Sequence, residues 1–510
     1  MIILKGELRV EDFYNIVYGA AQVSIDESVL ETVQESFDFL KVFSQNKIIY
    51  GVNTGFGPMA QYKVNDSQRI QLQYNLIRSH AAGSGSPIDP TYVRAAMLAR
   101  LNTLLLGKSA VHPSVIHLMT SLLNLNIIPV IYEHGGVGAS GDLVQLAHLA
   151  LVLIGEGEVY YKGKITATQT VFEAEKLEPI SIELREGLAL MNGTSVMSGI
   201  GILNAIHARR LLDWMVQCSS AINEIVEAYD DHLSYELNQS KKHIGQREIA
   251  SRMRKHLADS KLTRKREHHL YNGIKEGAVF EEKVQEYYSI RCVPQILGPV
   301  LDTLNNVERI LFEEVNSAND NPIIDVATKQ VYHGGNFHGD YVSLEMDKLK
   351  IVTTKVSMLA ERQLNYLLNS KLNDILPPFV NLGTLGLNFG MQGTQFTATS
   401  TTAENQMLSN PMYVHSIPNN NDNQDIVSMG ANAALITKKV IENAYEVVAI
   451  ELMTIIQAIE YLKVQDKVSS KTKKLYDDSR AIVPPLKEDE VLYPYLKKVK
   501  EYLLTSKIKK

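Results

Sequence analysis

The chain has 510 residues, 51 basic and 57 acidic, giving a formal charge of −6, and neither sign gathers into a long block. That balance argues against a protein built to neutralise nucleic acid or an anionic membrane surface. Two cysteines, Cys218 and Cys292, are too few and too far apart for a disulfide framework or a metal cluster.

The length suggests about three domains of roughly 150 residues, enough to bury a large core unaided. At the start, MIILKGELRVEDF turns charged too soon for a good signal peptide. No window approaches the ~18 uninterrupted apolar residues of a spanning helix. A cytoplasmic globular protein is expected.

The first part of the chain is marked by polar, glycine-rich interruptions: YGVNTGFGPMAQ (50–61), RSHAAGSGSP (78–87), EHGGVGASGD (133–142) and LMNGTS (190–195). Strand signals are sparse, and GEVYYKGKI (157–165) reads as a small hairpin. Long helical patterns then take over, at 205–233, 297–317, 343–370 and 440–462. In the last of these, Ile441, Tyr445, Val448, Leu452, Ile455, Ile459 and Leu462 recur at three- and four-residue steps, while Glu442, Glu446 and Glu460 fall mostly off the stripe. Such a helix is on the order of 35 Å long. Between the helices lie QEYYSIRCVPQ (285–295), NSANDNPI (316–323), YHGGNFHGD (332–340) and SIPNNNDNQDIVSMG (416–430).

Long helices in the second half point to a bundle. The expected fold is mainly α, with a loop-rich active-site domain over 1–200 and a helical-bundle domain over 201–510. Rigid elements presenting polar loops are the usual design of a catalytic site. No HExxH or paired Cys/His spacing is present, so no metal is expected, and His333 and His338 read as supporting residues, not ligands.

Within 133–142, Ala139-Ser140-Gly141 has a chemistry of its own. Attack of the Gly141 nitrogen on the Ala139 carbonyl carbon closes a five-membered ring. Loss of water gives an imidazolone, and dehydration of Ser140 leaves an exocyclic methylidene. Glycine removes the Cβ that would obstruct attack, serine supplies the hydroxyl that leaves, and alanine adds little bulk. The product is a carbon electrophile made from the chain itself. Taken alone, the triplet is a weak signal and is far more commonly a flexible turn, here leading into the helix that begins near Asp142, with Asp142 as its cap.

The surrounding motifs carry a resemblance. GGVGASGDLVQLAHLALVLIGEG is similar to the prosthetic-group segment of the aromatic amino acid ammonia-lyases, whose 4-methylideneimidazole-5-one forms from Ala-Ser-Gly. YGVNTGFG, MNGTS, YYSIRCVPQ, NSANDNPI, GGNFHG and DNQDIVSMG follow in family order over roughly residues 45–465. The resemblance implies a mainly α fold of the ammonia-lyase and fumarase kind, and a homotetramer whose active sites combine loops from several subunits.

It also implies roles. Tyr50 matches the catalytic tyrosine, and a phenol, which titrates near ~10, needs neighbouring charge or hydrogen bonds to serve as a base. Arg291 matches the substrate-carboxylate site, where a planar guanidinium can pair with both oxygens. Gln285 and Tyr288, which share approximately one face with it if that stretch is helical, match positions that line the site, Gln285 on the substrate side and Tyr288 in the surroundings of the prosthetic group. Asn192 and Phe337 match positions beside the prosthetic group, Asn192 as a donor to a developing oxyanion. Asn420, Gln424 and Glu404 match the substrate side.

Ser79-His80 occupies the ring-recognition pair. Serine-histidine is similar to the histidine enzymes, whereas tyrosine enzymes commonly show His-Leu and phenylalanine enzymes Phe-Leu. Conversely, DNQDIVSMG lacks the Glu-Asp-His string of histidine enzymes, and the whole chain looks closest to a bacterial tyrosine ammonia-lyase subgroup that keeps Ser-His. Imidazole and hydroxyl can both hydrogen-bond a phenol. The expected reaction is therefore L-tyrosine to p-coumarate. Its alternatives are L-histidine to urocanate, a tyrosine 2,3-aminomutase, and a non-catalytic helical assembly module.

Overall fold

In the computed structural model, residues 1–273, 278–280 and 282–506 are described, and they are mainly helical. The expected hairpin forms: Glu158–Tyr161 pairs antiparallel with Lys164–Ala167, with Val159 opposite Thr166. Lys162 and Gly163 at its tip have φ of 47° and 79°, the left-handed pair a type I′ turn requires. A second antiparallel pair, Ser84–Pro87 with Tyr132–His134, brings the chain after His80 beside the chain before Gly135.

Contacts divide the chain into two compact units. The first comprises Met1–Ile206, Val307–Asp347 and Pro411–Lys438; the second comprises His207–Asn306, Lys348–Asn410 and Lys439–Lys510. Four long helices, Ser195–Ile225, Val293–Val315, Asp340–Leu368 and Gly430–Leu462, give residues to both. The expected cut at residue 200 lies near the first break, while two later segments return to the first unit. Each brings a polar loop carried at a helix end.

The first unit holds more helix than its loop-rich sequence suggests: Glu27–Phe43, Arg69–His80, Pro90–Leu105, Pro113–Asn124 and Leu143–Leu153. Pro90 and Pro113 open their helices at the position where a missing N–H costs nothing, behind the capping side chains of Asp89 and His112. Pro90–Leu105 is buried on every side from Tyr92 onward, so it has no polar face and no amphipathic period to betray it. Ser195–Ile225 begins well before the pattern read from residue 205. A Cβ on Gly199 would collide with the backbone of Ala95 and Ala96, so this glycine allows two helices to approach closely and does not interrupt its own.

A buried polar frame runs through this unit. Arg185 and Asp320, both fully buried, are joined at 2.9 and 3.1 Å, and Arg185 also donates to the carbonyls of Ser109 and Asn321, each at 2.8 Å. Glu186 accepts the N–H groups of His112 and Glu183, both at 2.7 Å, and burial still pushes its carboxyl up to about 7.

In the second unit the predicted stripe is the core: Ile441, Tyr445, Val448, Leu452, Ile455 and Ile459 are all buried, and Leu462 at the helix end is half-buried. Burial is nearly continuous around that helix from Val447 to Ile459 and includes Glu451, which the apolar pattern does not single out. Trp214 donates its indole N–H to the Leu503 carbonyl at 2.9 Å, and Tyr445 its hydroxyl to His207 at 2.8 Å. Cys218 and Cys292 are both free thiols. No helix among the described residues is long and apolar enough to cross a membrane.

Candidate active site

The segment 133–142 leaves the strand Tyr132–His134, turns through its glycines and enters the helix Leu143–Leu153. It is held from three sides. Ser428 Oγ and Gly339 N both donate to the Gly138 carbonyl at 3.0 Å, and Met429 N donates to Val137 at 2.9 Å. From the third side, Asp142 N donates to the Gly193 carbonyl at 2.8 Å. The three latching segments are the sequence motifs GGNFHG, DNQDIVSMG and MNGTS. Gly141 lies at φ 70° against Gly193, where any Cβ would strike the Gly193 carbonyl, so position 141 accepts glycine on two independent grounds.

Asp142 differs from the expected cap. Its side chain makes no capping bond to its own helix; Oδ2 instead accepts Val196 N and Met197 N, both at 2.9 Å, at the start of Ser195–Ile225. Burial raises its carboxyl to about 7, against the lowering effect of those two N–H groups.

A cavity of about 510 Å³ opens on Ser140. Tyr50, Ser79, His80, Asn192, Phe337, Asn420 and Gln424 line it together with Ser140, so eight of the predicted site residues meet there. Asn192 Nδ2 donates to the Ser140 carbonyl and Gln424 Nε2 to Ser140 Oγ, each at 3.0 Å. Ala139 is buried beside them. The Tyr50 hydroxyl oxygen accepts Gly57 N at 3.1 Å, and the Tyr50 ring meets Phe56 edge-on at 6.0 Å. At the end of Arg69–His80, His80 Nδ1 lies 3.0 Å from both the Leu76 carbonyl and Ser79 Oγ. Asn420, Asn421 and Asp422 take successive left-handed φ values of 55°, 52° and 58°. The turn they make is closed by paired Asn419–Gln424 backbone bonds at 3.1 and 3.3 Å.

Sequence reading overlooked Leu72, Asn75 and Leu76, which lie on the same helical face as Ser79, and also Asn321 and Asn423. The spacing 72, 76, 79 was visible, but nothing marked that face as lining a cavity, as opposed to a core. Ala139 and Gly141 flank Ser140 in the first unit, whereas Gln285, Tyr288, Arg291 and Glu404 do not line this cavity and belong to the second unit. There, Arg291 bonds Gln285 and stacks 4.7 Å over the exposed Tyr288 ring. The short helix starts only at Tyr288, so Gln285 reaches Arg291 from outside it, not along a shared helical face. Glu404, on Gln392–Leu408, accepts Asn443 Nδ2 at 2.5 Å and lies 3.7 Å from Lys439. His338 sits 3.4 Å from Asp340, and no group of three or more metal-capable side chains occurs among the described residues.

This fold and site define a class. The aromatic amino acid lyase family model matches residues 8–481, and the chain belongs to that family. It is therefore an enzyme acting on a carbon–nitrogen bond, in a family that uses an autocatalytically formed 4-methylideneimidazole-5-one. Among individual relatives, it is 36% identical to a histidine ammonia-lyase of Halalkalibacterium halodurans, over 97% of this chain and 94% of that one. It is 38% identical to a tyrosine 2,3-aminomutase of Myxococcus fulvus, over 97% and 95%. The solved phenylalanine aminomutase of Pantoea agglomerans superposes with a TM-score of 0.95 at 34% identity, covering 99% of both chains.

The residues present fit the family's prosthetic group. Ala139 and Gly141 are buried on either side of a half-buried Ser140, the turn admits only glycine at 141, a side-chain amide already holds the Ser140 carbonyl, and the Ser140 hydroxyl is bonded by Gln424 at the cavity wall.

Proposed function

We propose that this protein is a cytoplasmic tyrosine ammonia-lyase that converts L-tyrosine to p-coumarate and ammonia, with 4-methylideneimidazole-5-one formed from Ala139-Ser140-Gly141 and without metal. The observation that carries the reading is the convergence of Tyr50, Ser79, His80, Ser140 and Asn192 on one cavity. When formed, the group supplies an electrophilic carbon that makes the substrate amine a better leaving group.

The chain's own residues handle the rest. Tyr50 takes the β-proton, its oxygen oriented by Gly57 N–H. Asn192 steadies the oxygen of Ser140, and Phe337 shapes the ring's surroundings. Ser79 and His80 receive the phenol. A bare phenyl ring would leave those polar groups unpaired, which disfavours phenylalanine.

Arg291 binds the carboxylate, with Gln285 and Glu404 beside the substrate and Tyr288 in the surroundings of the prosthetic group, and Asn420 and Gln424 close the other side. We place these sites in a homotetramer, where a second copy can supply loops that one chain's cavity lacks. The 68% exposure of Phe396 and 60% exposure of Met407, along Gln392–Leu408, support such an assembly.

Two other readings each have an observation behind them. Ser79-His80 favours histidine as substrate, and the similarity to tyrosine 2,3-aminomutases favours ammonia re-addition. Product analysis with tyrosine, histidine and phenylalanine in competition separates all three. p-Coumarate as the main product supports the proposal; urocanate or β-tyrosine as the main product replaces it.

A further inference from the structure

The helix Leu143–Leu153 follows the Ala-Ser-Gly turn directly, and its His148 lies outside the cavity lining. His148 is half-buried, with its ring 5.4 Å from that of Tyr132 at 65°. Its Nε2 accepts the Gly83 N–H at 3.1 Å. That bond needs a lone pair on Nε2, so the ring is neutral with its proton on Nδ1. Burial, which lowers the imidazole's affinity for a second proton, favours the same form.

Gly83 lies three residues after His80. The intervening chain is tied locally, by Ala81 N to Ile77 at 3.0 Å and Ala82 N to His80 at 2.8 Å. Beyond it, Ser84 pairs with His134. The His148 bond is thus a side-chain tether on the His80 side of this segment, joining it to the helix that follows the Ser140 turn; on the other side Arg78 is held at 2.6 Å by Glu156, just beyond that helix. A Cβ on Gly83 would sit 2.9 Å from Nε2, so the approach is close. Because Ser140 and His80 line the same cavity, this tether bears on the spacing between its two ends.

We infer that His148 is a positioning residue for ring recognition, fixing the register of Ser79-His80 against the Ser140 turn through Gly83. The inference rests on the reading of Ser79-His80 as the ring-binding end. A register error there alters discrimination between rings, whereas loss of a purely structural contact lowers turnover of every substrate alike.

The experiment measures kcat/KM for tyrosine and phenylalanine in the parent enzyme, His148→Phe, His148→Gln, His80→Leu and the double variant His80→Leu/His148→Phe. Phenylalanine at 148 keeps the packing on Tyr132 but has no acceptor. The tyrosine-to-phenylalanine ratio should fall roughly three- to tenfold, the range expected for one lost hydrogen bond. His148→Gln, which retains an acceptor, should restore most of the ratio. The double variant should match His80→Leu alone, because both act through one contact. An unchanged ratio in His148→Phe, or independent addition in the double variant, overturns the inference. If His148→Phe does not fold, His148→Asn, whose acceptor is too short to reach Gly83, serves with the same expected ratio. An unchanged ratio in His80→Leu instead overturns the ring-binding reading, and the two failures are thereby distinguished.

Discussion

In the first unit, Arg185 and Asp320 are fully buried and joined by two hydrogen bonds, and Asp142 takes two backbone N–H groups. In the second unit, Glu451 is buried to the same degree, yet neither of its oxygens has a hydrogen-bond partner among the described residues. Burial pushes its carboxyl well above the usual range, which favours the neutral acid. A buried charge that is paired serves to fix a loop: Arg185 also binds the Asn321 carbonyl, and Asn321 lines the cavity. A buried acid without partners fixes nothing. The contrast is between two kinds of burial and not between whole units, since Glu224 of the second unit is also fully buried and accepts Ser469 N at 2.7 Å.

The largest effect should come from Ser140→Ala. It removes the hydroxyl that ring formation must eliminate, so activity and the near-ultraviolet absorbance of the prosthetic group should both vanish while helix content stays unchanged. Retention of most of the turnover would show that the first unit's chemistry lies elsewhere. Tyr50→Phe should follow, with turnover down by about 10²–10⁴-fold, the usual cost of losing a positioned base. The same absorbance should remain intact, which places the defect in proton transfer; near-normal turnover would rule out Tyr50 as the base.

Stability tests the contrast itself. Arg185→Met leaves Asp320 buried without its partner and should cost about 3–5 kcal/mol in denaturant unfolding. Glu451→Met replaces a neutral buried acid by an apolar side chain and should be neutral or stabilising. Equal losses at the two positions would erase the distinction between a paired and an unpaired buried acid.

The smallest effect is a pH dependence. Below about 4.5 Glu451 is protonated in both folded and unfolded states. As pH rises from there the unfolded chain ionises and the folded chain does not, so this group's contribution to stability is progressively lost. Glu451→Gln abolishes that loss. Its Tm relative to the parent should therefore climb between pH 5 and 8, by at most about 2 °C per pH unit. A pH-independent difference would mean that Glu451 ionises in the fold.

Residue order alone determined much of this protein. The stripe Ile441 to Ile459 identified a buried helical face, because 3.6-residue periodicity survives whatever the helix packs against. GEVYYKGKI was legible as a hairpin, and the turn at its tip, Lys162-Gly163, depends on chemistry that is local. The Ala-Ser-Gly triplet and its companion motifs other than YYSIRCVPQ marked the cavity wall, since reactive groups must be written in the chain. Tertiary structure decided the rest. Pro90–Leu105 had no period to read because every side is buried. Asp142 looked like the cap of its own helix and serves another, because only the folded chain brings Val196 N and Met197 N to it. Leu72, Asn75 and Leu76 became lining residues, and His148 a tether to Gly83, through pairings between segments far apart in sequence. Local rules fix what a residue can do, and which partner it meets depends on contacts that no local pattern records.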